Sequence, residues 1–446
     1  MFSNPQTPEL QKFLSREASH SEMNGVTMTV TDEQFLRRKT IMAHSGGRPE
    51  FASWLSETND VTQTFLSAGE IPGMINLAGG MPDPSLWPTT ELSELAARAV
   101  SDHRGDALGY SPIEGLPGLR DLIAARFCGP GLSLTRRNIL ITTGGMQALD
   151  LLGKVLVDNR GLIAAQSPAY LGALDAWKPR CPAYRPMYLE EDGFDPVVAL
   201  RGAQFGYTVP NFSNPTGRLV GLDLRQALVE AAYATGTWLV EDDPYGTLYY
   251  DTVPLPRMLA LSGVDDEVYS GPIIYLGTLS KELAPGLRVG WVIAAPEIID
   301  VLVRAKQGSD MCSSGLCQRI AQDALAQGLT DRILPDVLNL YRARRNALCE
   351  ALDLHLADKF HWELPSGGMF VWATAHDPAF NTDAMLPRAL SNGVCITPSS
   401  VFDPTGQNRR GIRMNFTLNK PELLEEGVRR LAEVARAMEA ERAIAV

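Results

Sequence analysis

Residues 275–291 read YLGTLSKELAPGLRVGW. The stretch opens at the end of an apolar run, Ile273-Ile274-Tyr275-Leu276, and passes through a Gly-Thr-Leu-Ser turn to Lys281. Arg288 follows inside a Gly-Leu-Arg-Val-Gly frame. A short continuous apolar run bounded by turn residues is the pattern of a strand covered on both faces. Lysine belongs in water by default. At the end of a buried strand it either emerges from the sheet into solvent or stands in a shielded cleft. In a cleft, desolvation and nearby cations lower its pKa and make the amine nucleophilic.

Outward from this stretch the pattern repeats. Strands are predicted at 139–142, 161–165, 205–209, 237–240, 273–276 and 289–294, with helical patterns such as 146–156 and 223–233 between them. Short apolar runs alternating with helices predict an α/β sheet buried on both faces. The last third changes character: a long helical pattern at 333–356, strands near 362–372, 393–397 and 412–416, and a charged amphipathic helix from Pro421. Proline suits the first turn of that helix. This tail is predicted to be a second, smaller α+β domain. Before the sheet, Phe51, Trp54, Leu55, Val61, Phe65 and Leu66 are spaced for one or two short helices, and residues 75–82 read as a short strand running into a Gly-Pro turn. Residues 1–45 are weakly patterned and read as an N-terminal extension with no assigned role.

Composition narrows the function classes. The 446 residues are 45% hydrophobic and 21% charged, values of an ordinary globular chain long enough for two domains. A formal net charge of −12 argues against a nucleic-acid surface. The six cysteines are scattered, and the closest pair, Cys312 and Cys317, has neither C-x-x-C spacing nor a nearby histidine, so no metal site is expected. The first forty residues carry Glu9, Glu17, Glu22, Asp32 and Glu33 and show no signal-peptide pattern, and no apolar run is long enough to span a bilayer. The expectation is a cytoplasmic protein without a membrane partner.

In a parallel α/β sheet, ligands bind beyond the carboxyl ends of the strands. Here the predicted strands end in Thr143-Gly144-Gly145-Met146, in Gln166-Ser167-Pro168-Ala169-Tyr170, in Pro210-Asn211-Phe212-Ser213-Asn214-Pro215-Thr216-Gly217, and in Glu241-Asp242-Asp243-Pro244-Tyr245. Each can be read as a loop and no more, and Asn-Pro-x-Gly is a good turn on its own chemistry. The glycine pair opening a helix is a ready phosphate seat, though many such turns carry two glycines. The acidic triplet is harder to dismiss, because a carboxylate after a buried strand needs a partner. A nucleophilic lysine forms Schiff bases. Pyridoxal phosphate, the commonest protein-bound aldehyde, calls for a lysine, a carboxylate for its pyridinium nitrogen and a phosphate site. All three stand at strand ends.

Nine segments in order extend this reading: NLAGGMPDP, ALGYSPIEGLPGLR, ITTGGMQALDLL, SPAYLGAL, PNFSNPTG, VEDDPYG, GTLSKELAPGLRVGW, PSGGMFVW and GIRMNF. In these the chain resembles the class I/II aminotransferases of the pyridoxal phosphate (PLP)-dependent transferase fold type I, and within them the 2-aminoadipate, kynurenine and aromatic aminotransferases. The resemblance implies a large PLP-binding domain at 89–325 with a mostly parallel sheet and a small C-terminal domain at 326–446. An N-terminal arm at 46–88 would pack on the small domain and the active site. It implies that Lys281 holds the cofactor covalently and moves the substrate α-proton. Asp242 would pair with the pyridinium nitrogen, Tyr245 and Asn214 would bond the 3′-oxygen, and Tyr170 would stack on the ring. Backbone N–H groups of Gly145 and Met146, with Thr278, Ser280 and Arg288, would hold the phosphate. Tyr110 would reach the phosphate in the neighbouring subunit of a homodimer with shared sites. Arg413 would clamp the substrate α-carboxylate, and Gly80 and Asn214 would border the substrate. One departure stands out. Relatives often carry Gly-Ser-Gln where this chain has Gly144-Gly145-Met146, so a side-chain hydroxyl is missing while the backbone donors remain.

The implied reaction moves an amino group from an L-amino acid to a 2-oxo acid by a ping-pong mechanism. A lyase or decarboxylase on the same fold is the first competing reading, since fold and cofactor do not fix reaction class. A regulator with an aminotransferase-like sensor is the second, and it calls for a basic DNA-binding module. Residues 1–50 instead hold six Lys/Arg and six Asp/Glu. Residues 49–97 contain no lysine, arginine or histidine but do contain Phe51, Trp54, Phe65, Leu66, Ile71, Met74 and Trp87. An arm of this composition predicts a donor with a neutral aromatic or large aliphatic side chain. The alternative is that these residues only pack the arm, with a cation supplied by Arg48 or Arg218.

Overall fold

Strand formation follows the runs of β-branched and aromatic residues. In this computed structural model, which describes residues 50–57, 61–263 and 268–445, thirteen strands form. They are β1 (Ile75–Asn76), β2 (Ile139–Thr142), β3 (Leu162–Gln166), β4 (Ala183–Met187), β5 (Phe205–Thr208), β6 (Trp238–Asp242), β7 (Ile273–Thr278), β8 (Gly290–Ile293), β9 (Phe360–Trp362), β10 (Phe370–Ala375), β11 (Val394–Cys395), β12 (Thr397–Pro398) and β13 (Gly411–Asn415). The extension read at 1–45 lies outside the described residues. Residues Ala52–Val446 pack as one compact unit.

Seven strands make one sheet in the order β2-β8-β7-β6-β5-β3-β4. All run parallel except β8, which is antiparallel to both its neighbours. Their side chains alternate between two cores. Leu140, Ile274 and Leu276 face one, with Trp177 and Phe205, while Ile139, Ile141, Ile273 and Tyr275 face the other, with Leu228 and Trp291. Burial on both faces is why these strands read as unbroken apolar runs rather than alternating ones. The topology also sets where side chains can meet. The carboxyl ends of β2, β3, β5, β6 and β7 share one edge of the sheet, and because β8 runs the other way, its entry, Arg288-Val289, reaches that same edge.

The rest of the fold brings distant segments to that edge. An antiparallel sheet in the order β12-β13-β10-β9 carries Arg413 on β13, paired with Trp372 and Thr397. β1 pairs parallel to β11, Ile75 with Val394, which ties the Leu77–Gly80 turn to the C-terminal third. The long helix spans Leu329–His355 and the last one Pro421–Ala445.

The structure corrects several bounds. The strand expected over 362–372 is two strands, β9 and β10, separated by the Pro365–Gly368 turn, where Gly368 takes φ +73. The 393–397 run divides between β11, which serves β1, and β12, which serves β13. β4 had no counterpart among the expected strands. It is one of the sheet's two edge strands, mostly half-exposed with a proline at its fourth position, so it lacks the apolar run that marks the other strands.

Candidate active site

The cleft at the carboxyl edge is built from short turns whose geometry their own residues dictate. After β2, Gly144 takes φ +77, and a Cβ there would lie 2.4 Å from Arg288 Nη2, so only glycine turns the chain this tightly. The helix Gly145–Leu156 then starts with no side-chain cap. Its first N–H groups are left free for an acceptor, with the positive end of the helix dipole behind them. The hydroxyl of Thr278, at the end of β7, accepts the Ser280 N–H at 3.1 Å and lies 2.9 Å from Ser280 Oγ. Arg288 stands at φ +52, an uncommon conformation for a side chain of its size, and places Nη2 at 3.5 Å from the Thr143 carbonyl. Gly145, Met146, Thr278, Ser280 and Arg288 thus form a concave cluster of donors fit for a dianion.

Lys281 follows at the same edge. Its Nζ donates to the Gly80 carbonyl at 2.7 Å. Burial, reinforced by the charges of Arg413 and Arg288, pushes the amine down to about 8. A lysine so placed is neutral often enough near neutrality to attack a carbonyl. The shielded-cleft reading of Lys281 therefore holds over the solvent one.

The acidic triplet after β6 divides its work. Glu241 accepts the N–H groups of Met258 and Leu259, at 2.9 and 2.8 Å. Asp243 is engaged on both oxygens, by Asn211 Nδ2 at 2.7 Å and by Tyr275 Oη at 2.9 Å, with Arg257 at 3.3 Å. Asn211 in turn receives the buried guanidinium of Arg225 at 2.6 Å. Both residues are structural. Asp242 instead receives only Tyr207 Oη, at 2.7 Å on Oδ2. Burial raises its carboxyl to about 7, against the Tyr207 hydrogen bond, which lowers it. Its other oxygen is the one that remains to meet a cation or N–H in the cleft, and pairing with a pyridinium would offset the burial.

Around them, Asn214 Nδ2 approaches Tyr245 Oη at 3.4 Å, and Asn214 Oδ1 accepts Arg413 Nη1 at 2.6 Å. Tyr170 Oη donates to Met146 Sδ at 3.6 Å, and burial pushes its phenol up to about 12, so it stays neutral. Arg413 is 3% exposed, donates also to the Ala78 carbonyl and to Thr397 Oγ1, and lies 4.4 Å above the Phe370 ring and 4.8 Å from the Phe402 ring. Its Nε has no partner. A buried guanidinium without a carboxylate, with a donor left over, fits an anionic ligand. At Gly80 a Cβ would come within 2.8 Å of the Phe370 ring, so packing alone requires glycine there. Tyr110 stands apart, 89% exposed.

The structure thus brings Gly80, Gly145, Met146, Tyr170, Asn214, Asp242, Tyr245, Thr278, Ser280, Lys281, Arg288 and Arg413 to one edge of the sheet. Sequence reading missed Tyr207, whose partner becomes visible only when β5 is known to lie beside β6. It also missed Lys306 and Asp310 behind the phosphate turn. A signal for Lys306 existed: with Ile298, Ile299 and Leu302 it completes the apolar stripe of its helix. Of the two cations considered for the substrate pocket, Arg48 lies outside the described residues, and Arg218 is paired with Glu190 and Glu363. Among the described residues no cluster could hold a metal ion, and no helix is long and apolar enough to cross a membrane.

A lysine of lowered pKa, a buried carboxylate, an uncapped helix start and a buried arginine, gathered at one edge of the sheet, make up the set that a PLP-dependent enzyme acting on amino acids calls for. Comparison with known proteins gives the family. The description "Aminotransferase class I and II" matches residues 72–431, so the chain belongs to that family. It is 35% identical over 379 residues to a 2-aminoadipate transaminase of Thermus thermophilus, covering 84% of this chain and 93% of the relative. It is 34% identical to aromatic-amino-acid aminotransferase 1 of Thermococcus litoralis, with 83% and 90% covered. The crystal structure of alpha-aminoadipate aminotransferase from Thermus thermophilus, complexed with N-(5′-phosphopyridoxyl)-L-leucine, superposes with a TM-score of 0.76 at 34% identity, covering 87% and 99%. The protein is a PLP-dependent aminotransferase, and its substrates are amino acids and oxo acids.

Proposed function

We propose that the protein transfers the amino group of an L-amino acid with a neutral, aromatic or large aliphatic side chain to a 2-oxo acid, alternating between two half-reactions. The observation that carries the reading is the apolar cluster beside Arg413. Phe65, Ala78, Leu171, Cys395 and Phe402 are buried together, with Val61, Met74 and Trp372 packed against them. A substrate side-chain carboxylate placed among them would be desolvated without a partner, at a cost of several kcal/mol, order of magnitude. The Thermus relative, bound to a phosphopyridoxyl leucine, offers a precedent for a neutral side chain.

The geometry described above supports the following residue roles. PLP, when bound, supplies the electron sink that makes the substrate α-proton acidic. Lys281 would hold it and, once released, carry that proton between carbon atoms. Asp242, held on one oxygen by Tyr207, would keep the pyridinium nitrogen protonated with the other. Tyr245 and Asn214 would share the 3′-oxygen, and Tyr170 would lie against the ring. Gly145, Met146, Thr278, Ser280 and Arg288 would seat the phosphate. Arg413 would bind the α-carboxylate, and retention of that carboxylate favours transamination over decarboxylation. The bare Tyr110, with Leu108 66% exposed beside it, supports a homodimer in which Tyr110 serves the partner's phosphate. Cytoplasmic location completes the reading.

Comparing kcat/KM for phenylalanine, leucine, 2-aminoadipate and glutamate as donors tests the substrate class. Higher values for the two neutral donors are expected. A clear preference for the two acidic ones would overturn the proposal and show that a cation lines the pocket.

A further inference from the structure

We propose that the buried Lys306, with its half-buried partner Asp310, is a positioning device for the phosphate turn and gives the cofactor site its selectivity for a phosphorylated cofactor. The proposal rests on the assignment of Thr143–Met146 to the phosphate.

Lys306 lies in the last turn of the helix Pro296–Gln307 and is fully buried. Nothing in the proposed chemistry uses it. Its ammonium has three donors, and all three are taken: by the Asp310 carboxylate, by Gln147 Oε1 at 3.2 Å and by Ser313 Oγ at 3.2 Å. Burial of such a charge is costly, and an apolar residue of the same length would fill the space without that cost. The compensation lies one bond further on. Gln147 Oε1 also accepts the Thr143 N–H at 2.8 Å, and the second oxygen of Asp310 accepts Thr143 Oγ1 at 2.8 Å. Thr143 Oγ1 lies 3.0 Å from Ser313 Oγ as well.

Lys306 therefore grips Thr143 twice, through its backbone and through its side chain. Thr143 is the residue before the left-handed Gly144, so its orientation fixes where the N–H groups of Gly145 and Met146 point. Its carbonyl faces Arg288. Gly145 and Met146 offer no side-chain hydroxyl at the start of the helix, so the phosphate depends there on the backbone. A backbone seat is only as good as the rigidity of its turn. Lys306 and Asp310 supply that rigidity from behind, without touching the cofactor.

The test compares binding of PLP with binding of pyridoxal, which lacks the phosphate, to the cofactor-free protein. The variants are Lys306→Met with Asp310→Asn, which leaves no unpaired charge, and Thr143→Val, which removes the side-chain links from Asp310 and Ser313 to the turn and keeps the backbone link through Gln147. PLP affinity should fall by about tenfold or more in each, the scale of a lost hydrogen bond to a charged group, while pyridoxal affinity stays unchanged. An unchanged ratio of the two affinities in a folded variant overturns the proposal. If the double variant does not fold, Thr143→Val alone decides. Inorganic phosphate should compete with PLP in the wild-type protein. Failure of that competition would refute the phosphate seat itself rather than the role of Lys306.

Discussion

Lys281 and its neighbours set the pH behaviour of the site. In the unfolded chain a lysine keeps its proton up to about 10.4, whereas in the cofactor-free fold the amine is pushed down to about 8. Between those values the unfolded state binds more protons, so the stability that burying Lys281 costs is lost in full below about pH 8 and recovered as pH rises through this window. The stability gained on replacing Lys281 by Met should therefore shrink between pH 8 and 10.5, measured as the difference in thermal unfolding of the two cofactor-free proteins. In the same protein, the rate of cofactor attachment should rise through pH 8 and level off above. Borohydride reduction and peptide mapping should place the label on Lys281, and a label on another lysine would overturn the assignment. The acidic triplet gives a second residue-scale contrast. Asp242→Asn should leave the cofactor bound and cut turnover by orders of magnitude, because a neutral ring withdraws electrons poorly. Asp243→Asn should instead lower stability by about 1–3 kcal/mol through broken buried hydrogen bonds, with turnover per folded molecule kept. Denaturant unfolding alongside kcat separates the two. The expectation for Asp242 came from the resemblance. The three partners of Asp243, drawn from β7, the 211 loop and the 257 turn, were not legible in sequence.

At the scale of elements, strands buried on both faces were legible and the half-exposed β4 was not. β2, β6 and β7 announce themselves by unbroken apolar runs, since no face meets water. β4 does not, because half of its surface does. Likewise Lys281 could be placed at a strand end from sequence, but the company of Arg288 required knowing that β8 runs backwards. The turn after β2 carries a prediction of its own. Gly144→Ala would have to hold alanine at φ +77 with its Cβ against the Arg288 guanidinium. A cost of roughly 1–2 kcal/mol to stability is expected, together with a weaker PLP affinity as Arg288 is displaced. Calorimetric unfolding and a PLP titration check both; unchanged PLP binding would show that the Arg288 guanidinium does not serve the phosphate.

The whole molecule is expected to work as a dimer. Tyr110 and Leu108 lie open on the described chain, which suits a surface that a second copy covers. Sedimentation should give a dimer at working concentrations. Tyr110→Phe should weaken PLP binding without dissociating it, since it removes one hydroxyl and little apolar area. A fully active monomer would refute the shared site.

Arg413, the proposed clamp on the amino-acid carboxylate, takes its place late in the life of each chain. Arg413 grips the Ala78 carbonyl across 335 residues of sequence, and β1 waits for β11 to pair. The strands that carry Asp242, the phosphate turn and Lys281 all precede β9. During synthesis they leave the ribosome before β9–β13. On the proposed roles, a growing chain thus acquires the residues assigned to the cofactor before Arg413, the residue assigned to the amino acid, and only the arrival of the C-terminal third completes the site.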